Sequence, residues 1–356
     1  MARLTPRRPS ALPPSALRGD DERVISPGPS VEDTARGSGR GAAPVTVGLV
    51  AGGALAAVVV AVLGVSVAAR GTGELRIPGA GATTVLRAAV FAALAVHLGE
   101  LAGTRLARTG PARTGAASMG AVRTGAGPRR WAVAASLVGA GASAGQILLL
   151  AQVSGLDLAT VYGTSDGRFL LVMANGFLLA AGCATLTRPA LALAPLAAVI
   201  GAEALRAHPE PYTPTLGIAL TVVHLTAASL WTGGLLYVLR AMRLRRGDPA
   251  GARELLARYA RHAGRLLAAL AATGTLSTLR RLPVDVVLTS AYGRVLIAKL
   301  VLVAVVCALA LAARIRLRRG GDAGRPARAE LAVLALVVLV SAVLTVVPDP
   351  HWLSTR

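Results

Sequence analysis

Long apolar blocks alternate with short polar segments along most of the chain. Each block holds about 18–25 mostly apolar residues, which is the length that an α-helix needs to cross a bilayer. A backbone exposed to lipid must satisfy its own hydrogen bonds, and a helix does so within one segment. The pattern therefore predicts an all-α fold, a polytopic bundle of about nine transmembrane helices at 45–68, 83–103, 131–153, 169–186, 189–206, 214–240, 261–279, 294–313 and 331–347.

Residues 1–42 differ from the rest, because they are rich in Pro, Gly, Ser, Arg and Asp. Such a segment buries too little apolar surface to fold, so we expect a disordered cytoplasmic leader. The apolar blocks that follow are predicted to form two parts. Residues 43–210 supply about five N-terminal spans, and residues 211–350 supply about four C-terminal spans.

Arginine is distributed unevenly over the segments between the blocks. The leader carries seven arginines, and the segments 104–130, 241–260 and 314–329 are also rich in them. The alternate connections carry fewer, at 70–82, 154–168, 207–213 and 280–293. Because short arginine-rich loops stay in the cytoplasm, the distribution predicts an inside N-terminus and an outside C-terminus in a bacterial cytoplasmic membrane.

The composition agrees with this class of protein. Hydrophobic residues make up 54% of the chain and charged residues only 15%, whereas soluble domains carry roughly 25% charged residues. The formal charge of +21 lies in loop arginines, and aromatic residues are only 3%, so we expect no nucleic-acid partner. Motifs for ATP binding, for a hydrolase nucleophile and for paired catalytic carboxylates are missing from the sequence, so we expect neither an ATP drive nor an enzyme.

Several ionisable side chains fall inside the predicted spans. Such groups are costly in lipid and usually face the bundle interior or an aqueous path. Lys299, the only lysine of the chain, either snorkels toward the outer surface or forms an interior charge that organises the bundle or a substrate path. The complete set is Arg87, His97, Glu100, Glu203, His224 and Lys299.

His224 is predicted to lie near the middle of its span. It shares a helix face with Trp231, seven residues later. Gly233 and Gly234 would let another helix approach closely. An imidazole at this depth can bind a metal or haem, or it can hydrogen-bond a neighbouring helix, and the sequence leaves both open.

Other candidate ligands are more scattered. His97 and Glu100 lie three residues apart on one helix face, where they can bind a metal, or Glu100 can reach the cytoplasmic edge. The sulfur atoms of Met173, Cys183 and Cys307 suit Cu(I), although a lone thiol in an apolar span more often only packs. His208 and His351 are predicted to lie outside.

Four segments in the C-terminal half have a familiar order and spacing. They are His224 to Gly234, Arg258 to Thr275, Thr289 to Arg294 with Lys299, and Arg314 to Arg319. Together, over roughly residues 215–320, they resemble the bacterial copper resistance D family.

The resemblance implies a protein that moves copper ions across the cytoplasmic membrane. It also implies a copper-binding protein of the C type outside the membrane as a partner. We expect His224 to face the metal, with His97 as a second ligand and a sulfur as a third, so that Cu(I) passes by ligand exchange without ATP. The other positions that match the family pattern are expected to shape the bundle or the path, and they are Trp231, Gly233, Gly234, Tyr292, Gly293 and Lys299.

Two other functions remain open at this point. The protein can be a membrane-embedded partner or assembly factor without a transported substrate. It can also be a redox protein that holds haem b between His97 and His224, whose predicted depths differ by about four residues, or roughly 6 Å.

Overall fold

The computed structural model describes residues 58–74, 77–108, 131–207, 213–245, 247–282 and 284–348, and all secondary structure in these ranges is helical. This confirms the predicted all-α class for that part of the chain. The leader, His208 and His351 lie outside the described residues.

The α-helices are α1 (Val58–Ala68), α2 (Ala80–Arg108), α3 (Ala132–Ser154), α4 (Leu158–Gly163), α5 (Ser165–Thr185), α6 (Leu193–Arg206), α7 (Pro214–Leu244), α8 (Pro249–Arg281), α9 (Ala291–Arg318) and α10 (Gly324–Leu344). Two 3₁₀ turns, Pro189–Ala192 and Val284–Val286, precede α6 and α9.

Seven helical segments of the described chain are long and apolar enough to cross a membrane, where the sequence predicted nine. They are α2, α3, α5, α6 with its 3₁₀ turn, α7, α9 and α10. The protein is therefore a multi-pass membrane protein by the length and composition of its helices. The first predicted span, 45–68, is described only from Val58 onward. The seventh, 261–279, lies within α8, which is not among these seven segments.

Side-chain caps define where several helices begin. Thr164 accepts a hydrogen bond from the Gly167 backbone N–H (3.0 Å) at the start of α5. Ser290 does the same for the Gly293 N–H (3.1 Å) at the start of α9. These hydroxyls satisfy amide groups that the first turn of a helix leaves without partners.

Helices α2 and α7 run parallel to each other in close contact. Gly99 of α2 lies against Gly233 of α7, and four residues further along both helices Gly103 lies against Tyr237. A Cβ atom at Gly99 or Gly233 would overlap the backbone of the opposite helix. The close approach of α2 and α7 therefore depends on these two glycines.

Helix α8 returns along α7 in the antiparallel direction. Taking 1.5 Å per residue, the stretch from residue 259 to residue 280 covers roughly 30 Å, the thickness of a bilayer core. Three hydrogen-bonded pairs join the two helices at successive levels, namely Tyr259 with Trp231, Thr273 with His224, and Arg280 with Thr213.

Three apolar clusters fill the interior of the described bundle, and the third lies among α1, the start of α9 and the end of α10. The first is built by α2, α3, α5 and α6 around Leu94, Leu170 and Phe177. The second is built mainly by α7, α8 and α10 around Leu235 and Leu334. Helix α9 pairs with α10 and exposes many apolar side chains, as a lipid-facing helix does.

Candidate functional site

Helices α7, α8 and α9 carry a polar group of three residues at the level of His224. The Nδ1 atom of His224 lies 2.9 Å from Oγ1 of Thr273. That hydroxyl also lies 2.7 Å from the carbonyl oxygen of Ala269. When the hydroxyl donates to this carbonyl oxygen, the imidazole donates through Nδ1, and its Nε2 atom keeps a lone pair that can bind a metal.

Lys299 of α9 adds a positive charge near His224. Its charge acts electrostatically on the His224 ring. In the described part of the chain, its ammonium group has no hydrogen-bond or ion-pair partner. Because like charges repel, Lys299 weakens the binding of any cation by His224.

A second polar group lies about two helical turns further along α7 and about four turns earlier in α8, and it includes a residue of α10. The indole Nε1 of Trp231 donates to Oε1 of Glu330 across 3.2 Å. The hydroxyl of Tyr259 donates to the carbonyl oxygen of Trp231 across 2.7 Å. Trp231 thus joins α8 and α10 to α7 and fixes the position of the Glu330 carboxylate.

These residues line a cavity of about 210 Å³ between α7, α8, α9 and α10. Cys307 and Glu330 lie in its wall, together with Arg314. The guanidinium of Arg314 donates to the Ala260 carbonyl oxygen (2.8 Å). The cavity therefore brings a thiol and a carboxylate together in the bundle interior.

Glu330 is the unusual group in this cavity. It is only 4% exposed, and the described residues place no cationic group within ion-pair distance of it. A buried carboxylate is expensive without a compensating charge. A proton or a bound cation can offset this cost at Glu330.

A second cavity of about 270 Å³ is next to the first, and Leu256 and Leu317 line both. It lies beside the α7–α8 and α9–α10 connections, which contain the arginine-rich segments of the sequence. Met242 and Asp322 offer a thioether and a carboxylate there, but Arg245 and Arg253 also line the wall. The charge of its lining is therefore mixed.

His97 and Glu100 take separate roles. His97 is fully buried, and its Nδ1 atom lies 2.6 Å from Oγ of Ser136 on α3. Glu100 accepts from the backbone N–H groups of Trp131 (2.8 Å) and Ala132 (2.9 Å), so that it caps α3. Glu100 also forms an ion pair with Arg240 of α7 (2.8 Å), and that guanidinium stacks on the Trp131 ring at 3.6 Å. Both carboxylate oxygens of Glu100 are consequently occupied by protein groups.

His97 and His224 do not come together. The contact of Gly99 with Gly233 places His97 level with Trp231, so His224 lies seven residues, or about 10 Å, further along the bundle axis. His97 faces α3 and His224 faces α8. Among the described residues, no group of three or more His, Cys, Asp or Glu side chains could hold a metal ion. The structure therefore does not bring His97 and His224 together into one metal site. A metal-binding role for either residue stays a prediction.

The remaining predicted residues lie at helix contacts and helix ends. Gly234 lies against the Tyr259 ring, and Gly293 lies against the Val287 carbonyl group. Tyr292 is buried beside this turn. The start of α9 is held by the Glu74 carboxylate, which accepts from the Ala291 N–H across 3.0 Å.

The three predicted sulfur ligands have different surroundings. Met173 is fully buried in the first apolar cluster, and Cys183 packs against that cluster. Only Cys307 of the three lines one of the two described cavities. This observation selects Cys307 as the sulfur that an ion in the cavity can reach.

Glu330 and Tyr259 were missed as candidates from the sequence. Each lies just before the predicted boundary of a span, so each was counted with a loop. The helices begin earlier, at Gly324 and Pro249, which places both side chains inside the bundle. An acidic residue one position before an apolar block is the signal that could have found Glu330.

Residues 253–347 match the sequence model of the family described as copper resistance protein D, CopD. The match confirms the family resemblance for the segment that contains Thr273, Lys299, Cys307 and Glu330. Helix α7, with His224 and Trp231, precedes the matched segment. No curated protein sequence and no solved structure matches the chain.

Proposed function

We propose that this protein handles copper in the bacterial cytoplasmic membrane and moves copper ions through the bundle of α7 to α10 without ATP. One observation carries the proposal. The buried Glu330 carboxylate, without a cationic partner in the described chain, shares a cavity with the Cys307 thiol. Both residues belong to the segment that matches the copper resistance family.

The ligand chemistry of the cavity supports copper as the cation. A thiolate is a soft ligand that selects Cu(I) over hard cations. The Glu330 carboxylate supplies a negative charge that offsets the cost of bringing the ion into a medium of low dielectric constant. Trp231 donates to this carboxylate, and Tyr259 in turn donates to the carbonyl oxygen of Trp231.

His224 serves as the outer ligand in this proposal. Its free Nε2 atom lies seven residues before Trp231 on α7, or about 10 Å along the helix. The Lys299 charge keeps the affinity for a cation low at this level, so an ion that arrives there is passed on. A conducting path needs sites that bind well enough to admit an ion and weakly enough to release it.

The proposed topology has nine spans, with the N-terminus inside and the C-terminus outside. The antiparallel course of α8 along α7 supports the seventh span. The arginine-rich connections then lie in the cytoplasm beside the cavity of Met242 and Asp322. Copper would reach His224 from outside, supplied by the extracytoplasmic copper-binding protein of the C type that the family resemblance implies.

A membrane-embedded partner protein without a substrate is the second candidate function. It is favoured by the sparse ligand set, since the described residues contain no cluster of three metal-binding groups. Haem b between His97 and His224 is not supported, because the two rings face different helices at different depths.

Copper accumulation in cells separates the first two functions. We expect cells that produce the wild-type protein to differ in copper content from cells that lack it, and Cys307→Ser to abolish most of the difference. Cys183→Ser is the matched control, because Cys183 packs against the first apolar cluster, and it should behave as wild type. Equal copper contents with and without the protein would overturn copper transport and favour the partner function.

A further inference from the structure

A buried polar cluster lies between α2, α3 and α6, away from the proposed copper path. Glu203 of α6 pairs with Arg206 through Oε2 (2.9 Å) and with Arg87 of α2 through Oε1 (3.5 Å). Arg206 also donates to Oε1 of Gln146 on α3 (3.4 Å). Arg87 further donates to the carbonyl oxygen of Thr345 (2.7 Å). In the proposed topology this cluster lies near the outer side of the membrane.

Three N–H groups of this cluster are buried without an acceptor in the described part of the chain. They are Nε of Arg87, Nε of Arg206 and Nε2 of Gln146. Buried donors almost always have partners, and two of these three are on charged groups, for which a missing partner is most costly. Three such donors in one ion-pair network point to a ligand that only accepts hydrogen bonds.

The charge balance of the cluster also indicates an anionic ligand. Two guanidinium groups face one carboxylate, and each of its oxygens is already paired with one of them. Asp166 acts electrostatically on Arg206, but it is exposed at the start of α5, where solvent screens its charge. The buried part of the cluster therefore has an excess of positive charge.

We propose that Arg87, Gln146 and Arg206 bind one small monovalent anion, either a halide or the carboxylate of a small organic acid. Such an anion accepts several hydrogen bonds, donates none, and cancels the excess charge. Water fits less well, because it must also donate two protons and it leaves the charge uncompensated. The inference does not depend on copper being the transported ion.

The test measures thermal unfolding of the purified full-length protein against chloride concentration. Sodium methanesulfonate, which is neither a halide nor a carboxylate, keeps the ionic strength constant, and a second series uses sodium formate. We expect the unfolding midpoint of the wild type to rise and saturate with chloride, with formate, or with both, since a ligand of the native state stabilises it by mass action. The more effective anion identifies the halide or the carboxylate as the ligand. No saturating rise with either anion would overturn the proposal.

Gln146→Glu places a carboxylate where the anion would bind. We expect this variant to unfold at a higher temperature than the wild type without chloride, and to respond to neither anion. Gln146→Leu removes the amide donor but keeps most of its volume. It should raise the chloride concentration needed for the half-maximal effect about tenfold or more, as expected for the loss of a hydrogen bond to a charged ligand.

The matched control is Arg168→Gln. Arg168 is an exposed arginine of α5 whose Nε donates to the Thr164 carbonyl oxygen of its own helix (3.3 Å). This variant should keep the anion response of the wild type. Equal responses of Gln146→Glu, Gln146→Leu and the wild type would show that the anion acts elsewhere and would overturn the assignment of the site.

Discussion

The indole Nε1 of Trp231 donates a hydrogen bond to Oε1 of Glu330 across 3.2 Å, and so joins α7 to α10 in the interior of the bundle. The pair lies beside Cys307 in the same cavity. A carboxylate fixed in this way, and left without a cationic partner among the described residues, can compensate the charge of an ion that passes. The negative charge of Glu330 is therefore the property to remove first.

Glu330→Gln keeps the size of the side chain and an acceptor for Trp231 but removes the charge. We expect normal amounts of folded protein and at least a tenfold loss of copper accumulation, since a charge interaction in a site of low dielectric constant exceeds 1.4 kcal/mol. The measurement is the initial rate of copper accumulation by cells, divided by the amount of protein in the membrane. Glu254→Gln is the control, because Glu254 is a half-exposed carboxylate of α8 that pairs with Arg258. A Glu330→Gln variant that accumulates copper at the wild-type rate would exclude a role for this charge.

Gly233→Ala should weaken the contact between α2 and α7. The added Cβ would overlap the carbonyl oxygen of Ala95, and overpacking of this kind costs about 1–3 kcal/mol or more. Gly141→Ala is the control, since its Cβ would meet no atom within 4 Å, and it should be neutral or slightly stabilising. Chemical unfolding in detergent measures both. Equal stabilities of the two variants would show that α2 and α7 separate at this level without cost.

Glu100→Gln should also destabilise the fold. The substitution leaves the Arg240 guanidinium without its carboxylate and turns an amide donor toward the N–H groups at the start of α3. Removing one partner of a buried ion pair costs about 3–5 kcal/mol, whereas Glu254→Gln removes an exposed pair worth less than about 1 kcal/mol. The comparison uses the same unfolding experiment. A loss of stability no larger than that of Glu254→Gln would contradict a structural role for Glu100.

The membrane crossing of α8 can be tested with single cysteines in a protein that carries Cys183→Ser and Cys307→Ser. Gly247→Cys lies before α8 and Leu288→Cys lies after it, and both positions are exposed. We expect a membrane-impermeant maleimide to label Leu288→Cys in intact cells, and Gly247→Cys only after permeabilisation. Labelling of both positions from the same side would show that α8 does not cross, and would reduce the nine predicted spans.

The apolar blocks of the sequence predicted the helical class and the positions of seven candidate spans, because bilayer length and hydrophobicity are local properties. The neighbours of each helix are not local. His97 and His224 have similar predicted depths, but the parallel register of α2 and α7 separates them by about 10 Å. The exact boundaries of the spans are also poorly predicted from the sequence. Glu330 lies one residue outside the predicted block, and it becomes a site candidate only once α10 is seen to begin at Gly324.

Equilibrium binding of Cu(I) to the purified protein under reducing conditions tests the proposed copper site most directly. Wild type, Cys307→Ser and Cys183→Ser are compared at the same protein concentration, with bound copper measured by elemental analysis after removal of the free ion. We predict that the wild type and Cys183→Ser bind copper equally, and that Cys307→Ser loses at least nine tenths of it, since replacing a thiolate by a hydroxyl removes the soft ligand. Equal copper binding by all three proteins, or none by the wild type, would contradict a copper site in the cavity of Cys307 and Glu330.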